Sequence, residues 1–182
     1  MRTLVAMMLF LFNGVALSSI EVVAHISTLL ERTCAAFEYK CASKKLWPPS
    51  SYDQVLQEAL ARNNILVKFN KVAVQYDLNR DNLKEYLIPI ILDKKTNSVL
   101  WIIMAGEEPR VIAEARARAI LVHIGEEKYA SISSFSREPN FGGDLRRWYY
   151  QKDKYQGVLA ATMGKDDSDA VEKKIKEFRC KS

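Results

Sequence analysis

From residue 65 to residue 163 the chain is a succession of short β-branched and aromatic runs: "ILVKFNKVAVQYD", "EYLIPIILD", "SVLWIIMAG", "AILVHIG", "YASISSF", "RRWYYQ" and "YQGVLAAT". Asn, Asp, Gly and Lys part them, the composition of turns between strands. A chain of this kind is committed to β-sheet through most of its length. The earlier part differs. "PPSSYDQVLQEALARNN" has Pro48-Pro49 to stop what precedes it and Ser50 or Ser51 to cap, and Tyr52, Val55, Leu56, Ala59 and Leu60 then recur at helical spacing as far as Asn63-Asn64. "FEYKCA" alternates Phe37, Tyr39 and Cys41 as a short strand does. "KDDSDAVEKKIKEF" has a weak helical pattern in Ala170, Val171, Lys174, Ile175 and Phe178. "EEPRVIAEARARAILVHI" suits either an edge strand, by its alternating alanines, or a helix, by its composition. The expected class is α+β, with an N-terminal helix packed on an antiparallel sheet.

Before these elements stand Arg2, the apolar "TLVAMMLFLF" and "NGVALSS", the layout of a secretory signal. About ten apolar residues fall short of the roughly 20 that span a bilayer. Residues 1–24 therefore read as a signal peptide cleaved near 18–24, and 25–182 as one soluble secreted domain without membrane association. The formal net charge of +5 mildly favours acidic partners such as RNA or an anionic surface. Three cysteines, Cys34, Cys41 and Cys180, give one disulfide and one leftover thiol in an oxidising compartment. Cys41 with Cys180 would tie one end of the domain to the other. No CxxC or His/Cys cluster occurs, so neither a metal nor a cofactor is expected.

A secretory signal, the Tyr-x-Cys at Tyr39–Cys41, a helix, then strands, then a cysteine near the C-terminus resemble the RNase-like secreted effectors of powdery mildew fungi, relatives of the small fungal guanyl-specific ribonucleases. Three patches carry the likeness: "YLIPI" at 86–90, "RRWYY" at 146–150 and "YQGVLAATMG" at 155–164, followed by Cys180. The resemblance implies a microbial ribonuclease-like fold, an N-terminal α-helix on a curved antiparallel sheet, closed by Cys41–Cys180. Residues 107–144 exceed the family's usual connection and read as an insertion.

Such ribonucleases need one group to take the proton of the 2′-hydroxyl, one to protonate the leaving oxygen and a cation on the phosphate. The family's glutamate and histidine fall on Leu87 and Ala161, which transfer no proton, and its arginine on Arg147. The resemblance therefore implies a pseudo-ribonuclease: a monomeric virulence effector that reaches the host plant cytoplasm, binds host RNA, a ribosome or a host protein, suppresses immunity and is open to recognition by a plant immune receptor. A live ribonuclease would have to rebuild its site from Glu85, two positions before Leu87, from His123 and from Arg147. The competing readings are a solvated Glu85 and a packed His123. Arg146, Arg147, Trp148, Tyr149, Lys152 and Lys154 form a basic and aromatic cluster suited to RNA phosphates and unpaired bases. Alternation along the strand would instead bury either Trp148 and Tyr150 or Tyr149. A third reading is an effector that binds only protein.

Overall fold

The computed structural model describes residues 26–65, 70–95, 98–123, 130–138 and 142–180. The signal peptide expected at 1–24 lies outside them. The described chain begins with the helical residues 26–31 (α1) and continues as β1 (Thr33–Glu38), a 3-10 turn at Tyr39–Cys41 and α2 (Asp53–Arg62). Then come β2 (Val74–Tyr76), β3 (Glu85–Asp93), β4 (Ser98–Met104), β5 (Val111–Arg116), β6 (Ala119–His123), β7 (Ser131–Glu138), β8 (Gly142–Gln151), β9 (Lys154–Met163) and α3 (Lys165–Phe178).

The strands make two antiparallel sheets, one in the order β1-β6-β7-β8-β9 and one in the order β2-β3-β4-β5. The inner faces of the two sheets share one core, in which Phe37, Ile120, Val122 and Ile132 meet Leu87, Val99, Trp101, Ile103 and Ala115. On the outer face of the four-stranded sheet, Leu56, Ala59 and Leu60 of α2 cover Ile88, Ile90, Leu100 and Ile102. On the outer face of the five-stranded sheet, Ile26, Leu29, Val171 and Ile175 of α1 and α3 cover Leu121, Phe135, Leu145 and Ala161. The order of layers is thus helix, sheet, sheet, helix.

This mixed α/β architecture with antiparallel sheets agrees with the coarse expectation and corrects its detail. One sheet under one N-terminal helix was expected; there are two sheets, and the longest helix described, α3, is C-terminal. The physical reason lies in β3 and β4, whose Leu87–Ile90 and Val99–Met104 are buried on both faces and so need a layer on each side. The described residues of the stretch 107–144 supply β5 to the four-stranded sheet and β6 and β7 to the five-stranded one. Of the two readings open for "VIAEAR", the edge strand is the one formed, with Ala113 and Ala115 buried and Arg116 exposed.

Cys41 and Cys180 are bonded, their Cα atoms 5.1 Å apart across 139 residues of sequence. Cys180 N–H also donates to Ala36 O at 2.9 Å, so the C-terminal end lies along β1. Closing so long a loop restricts the unfolded chain by about 4–5 kcal/mol in the chain-entropy account. Among the described residues no helix is long and apolar enough to cross a membrane.

Candidate nucleic-acid interface

Strand alternation sorts the basic and aromatic cluster of β8 onto two faces. Leu145 points outward into the layer under α3, so Arg147 and Tyr149 share that outer face, while Trp148 and Tyr150 pack toward the inter-sheet core. The Trp148 indole donates to Ser134 Oγ at 2.9 Å and lies against Gly157 of β9, where a Cβ would come within 2.7 Å of the ring. Lys152 and Asp153 turn the β8–β9 hairpin with φ of 49° and 63°, a left-handed conformation usually given to Asn-Gly. Arg110 donates to the Asp153 carbonyl and holds this tip against the other sheet. Arg146, Lys152 and Lys154 are exposed.

Arg147 is the unusual member. Its guanidinium carbon stands 5.0 Å from the centroid of the Tyr149 ring, and its Nε is buried with no acceptor among the described residues. The half-buried Arg110, Arg118 and Arg137 each meet a carboxylate: Glu108 at 2.6 Å, Glu38 at 3.8 Å and Asp169 at 2.8 Å respectively. Among the described residues Arg147 has no such partner. A partly desolvated cation without a counter-charge is an open electrostatic demand, which an anion meets.

The floor beside it is polar. Ser133 lies opposite Arg147 across β7 and β8, and its Oγ is 2.8 Å from Nε2 of His123, which is 1% exposed. Thr33 Oγ1 donates to Leu29 O at 3.1 Å and lies 3.3 Å from His123 Nδ1. Because the Thr33 proton is committed to Leu29, Nδ1 carries the imidazole hydrogen and Nε2 accepts from Ser133. Burial, reinforced by the Arg147 charge, pushes the His123 pKa down to about 3. The imidazole is therefore neutral near pH 7 with both nitrogens engaged. It shapes the floor under Arg147 and has no free position for proton transfer.

Glu85 is elsewhere. It lies two residues before Leu87 and shares its inward face, so the five-stranded sheet separates it from the outer face that holds His123 and Arg147. It is not a solvated residue: 2% exposed, it accepts from Leu78 N–H at 2.6 Å. Burial, with Asp81 and Asp77 nearby, pushes its pKa up to about 7 despite that hydrogen bond. Leu87 and Ala161, the positions matched to the ribonuclease glutamate and histidine, belong to different sheets, Leu87 turned into the inter-sheet core and Ala161 toward α3. The leftover thiol of Cys34 donates to Val122 O at 3.4 Å and lies 3.6 Å from the Tyr76 hydroxyl. Burial is the main cause of the raised Tyr76 pKa.

The structure thus brings Arg147, Tyr149 and His123 together and leaves Glu85 apart. Sequence reasoning missed Thr33 and Ser133. The available signal was the serine spacing in "SISSF", which sets Ser131 and Ser133 on the same face as Phe135, where apolar side chains would be expected. Among the described residues no group of three His, Cys, Asp or Glu side chains is gathered to hold a metal ion. Neither a family model, nor a curated protein, nor a solved structure matches this chain.

Proposed function

We propose that this chain is a secreted, non-catalytic binding protein that holds a phosphate of single-stranded RNA at Arg147. The observation that carries the reading is the half-buried guanidinium of Arg147, whose Nε has no acceptor among the described residues and which stacks on Tyr149. A planar guanidinium binds phosphate through paired N–H donors and needs no catalytic partner to do so. Lys152 and Lys154 at the tip of the same hairpin extend the positive surface along which a phosphodiester chain lies, while Arg146 alternates to the opposite face with Trp148. Tyr149 beside the phosphate supplies an aromatic face to an unpaired base.

The non-catalytic part of the reading rests on the placement of the titratable groups. A neutral His123 and a Glu85 on the other side of a sheet cannot serve one phosphate as acid and base. The setting comes from the sequence resemblance: a fungal effector acting in the host plant cytoplasm, where host RNA or a ribosome is the target and a plant immune receptor is a further partner. That resemblance concerns order and motifs, and the separation of Leu87 from Ala161 departs from a shared catalytic face.

The test is fluorescence anisotropy of a labelled single-stranded RNA oligomer with the oxidised wild type, Arg147→Met and Tyr149→Ala, over a range of salt, with a denaturing gel of the same samples. Saturable binding that falls at least tenfold in Arg147→Met, with the RNA left intact, is the expected result. Cleavage abolished by His123→Gln would replace this reading with a live ribonuclease. Equal binding by wild type and Arg147→Met would leave only nonspecific attraction and favour a protein partner.

A further inference from the structure

Between β2 and the start of β3 the chain reads "DLNRDNLKE", residues 77–85, with Asp77, Asn79 and Asp81 at alternate positions. This is the D-x-N-x-D spacing with which a single loop gathers oxygen atoms around a calcium ion. The sixth position of such a loop makes a sharp turn and is ordinarily Gly; here it is Asn82, left-handed with φ of 69°. Asp77 Oδ2 accepts from Asn82 N–H at 3.1 Å, Asn79 Oδ1 from Asp81 N–H at 3.2 Å and Asp81 Oδ1 from Leu83 N–H at 2.7 Å. All three side chains are thus turned back onto their own loop. Those bonds close the loop without any ligand, and they leave one atom unexplained. Asp77 Oδ1 is buried and has no hydrogen-bond donor among the described residues. Asp77, Asp81 and Glu85 also make no ion pair among the described residues. A buried carboxylate oxygen with neither donor nor counter-charge costs free energy until a cation reaches it.

We infer that residues 77–83 form a calcium site, in which Asp77 Oδ1, the Asn79 amide oxygen, an Asp81 oxygen and the Leu83 carbonyl hold the ion and water completes its shell. The inference is independent of the RNA-binding reading. The lack of CxxC and His/Cys clusters speaks against zinc and leaves calcium open, because calcium takes oxygen ligands. Only two of these side chains are carboxylates, so the site needs no group of three acidic, His or Cys side chains, of which the described residues hold none. Glu85, 2% exposed, is engaged by Leu78 N–H at 2.6 Å and stands behind the loop. Helix-flanked loops of this spacing take a bidentate Glu at position twelve; that position is here Ile88, fully buried in β3. With that ligand missing, the expected Kd is that of extracellular calcium modules, about 10⁻⁴–10⁻³ M. Leu78, inside the loop, is fully buried in the inter-sheet core, and its carbonyl accepts from Ala130 N–H at 2.7 Å just before β7. An ion in this loop therefore braces the two sheets where β2–β3 meets β7.

The probe is calcium chloride, added to the oxidised protein after divalent ions are removed with EDTA, with magnesium chloride at equal ionic strength for comparison. Amide NMR signals of residues 77–85 are expected to shift saturably with a Kd of about 10⁻⁴–10⁻³ M. At about 10 mM calcium the melting temperature should rise by about 3–5 °C, and magnesium should raise it by less than about 1 °C. Asp77→Asn and Asp81→Asn each keep an acceptor for the loop N–H and remove one charge. Each should weaken calcium at least tenfold, with a melting temperature in EDTA equal to wild type or higher. Asn82→Gly, which suits the left-handed turn, should keep the site. No calcium-induced shift at 77–85 in wild type up to about 10 mM, an equal response to magnesium, or a response that survives the double variant Asp77→Asn with Asp81→Asn overturns the site. Residues 77–83 would then be a turn closed by its own side chains. The wild-type titration decides the matter even where a variant fails to fold.

Discussion

Two buried titratable groups give the stability of this protein an unusual dependence on pH. Glu85 has its pKa raised from 4.5 to about 7, so ionising it costs more in the fold than in the unfolded chain. Its favourable contribution is fully present below pH 4.5 and is lost as pH rises through about 7, a change of about 3 kcal/mol. His123 has its pKa lowered from 6.5 to about 3, so protons bind the unfolded chain first. Its contribution is present above pH 6.5 and is lost as pH falls toward 3, a change of about 5 kcal/mol. Between pH 6.5 and 4.5 the two slopes have opposite sign and similar size, about 1.4 kcal/mol per pH unit each, and largely cancel. The perturbation is Glu85→Gln, which keeps an acceptor for Leu78 N–H and removes the charge. Its stability should exceed that of wild type by about 3 kcal/mol at pH 8 and match it near pH 4.5 apart from a constant offset, equivalent to roughly 10 °C in melting temperature at pH 8. In the complementary variant, His123→Gln, stability should rise as pH falls from 8 to 4.5. The assay is urea unfolding of the oxidised protein at half-unit pH steps, read by tryptophan fluorescence. A Glu85→Gln curve parallel to wild type from pH 4.5 to 8 would refute the argument, because the carboxyl would then titrate alike in both states.

Arg147→Met removes an uncompensated cation and keeps an apolar stem, so its urea midpoint should equal or exceed that of wild type; a loss above about 2 kcal/mol would reveal a protein partner for the guanidinium. The same substitution should raise the His123 pKa, followed by NMR of the ring protons, since Arg147 contributes to lowering it. Cys41→Ser with Cys180→Ser should cost about 4–5 kcal/mol in unfolding experiments, and a cost under 1 kcal/mol would mean that the unfolded chain gains little freedom. Phe135→Ala, at a fully buried position beneath the helix layer, should cost about 3–5 kcal/mol in the same experiment.

The parts of the fold legible in the sequence are those set by local pattern. Of the residues at helical spacing before Asn63, Val55, Leu56, Ala59 and Leu60 lie in α2 and Tyr52 in the 3-10 turn that leads into it, all but Val55 buried. The runs from "EYLIPIILD" to "YQGVLAAT" are strands. Local pattern assigns side chains to faces but does not choose partners. β1 pairs with β6 across more than 80 residues, and nothing in either run announces it. The number of sheets was available in principle from the uninterrupted apolar stretches of β3 and β4, which carry no polar face for solvent. At the candidate site, β8 could be recognised by its composition, and alternation left only two choices for Trp148 and Tyr149. Placing His123 under Arg147 and Glu85 behind a sheet required the register of β6, β7 and β8, which is a long-range property.

The pairing of β1 with β6, and of the C-terminal residues with β1, also governs time. Strand β1 is among the first described segments to leave a ribosome or translocation channel, yet one edge waits for Ala119–His123 and the other for Arg179 and Cys180. Until then Phe37 and its apolar neighbours have no permanent cover. Closure therefore waits for Arg179 and Cys180, and the high sequence separation of these contacts makes it slow. The interval in which the chain is exposed to misassembly, and to premature pairing of Cys34 with Cys41, is set by the delay before Cys180 arrives.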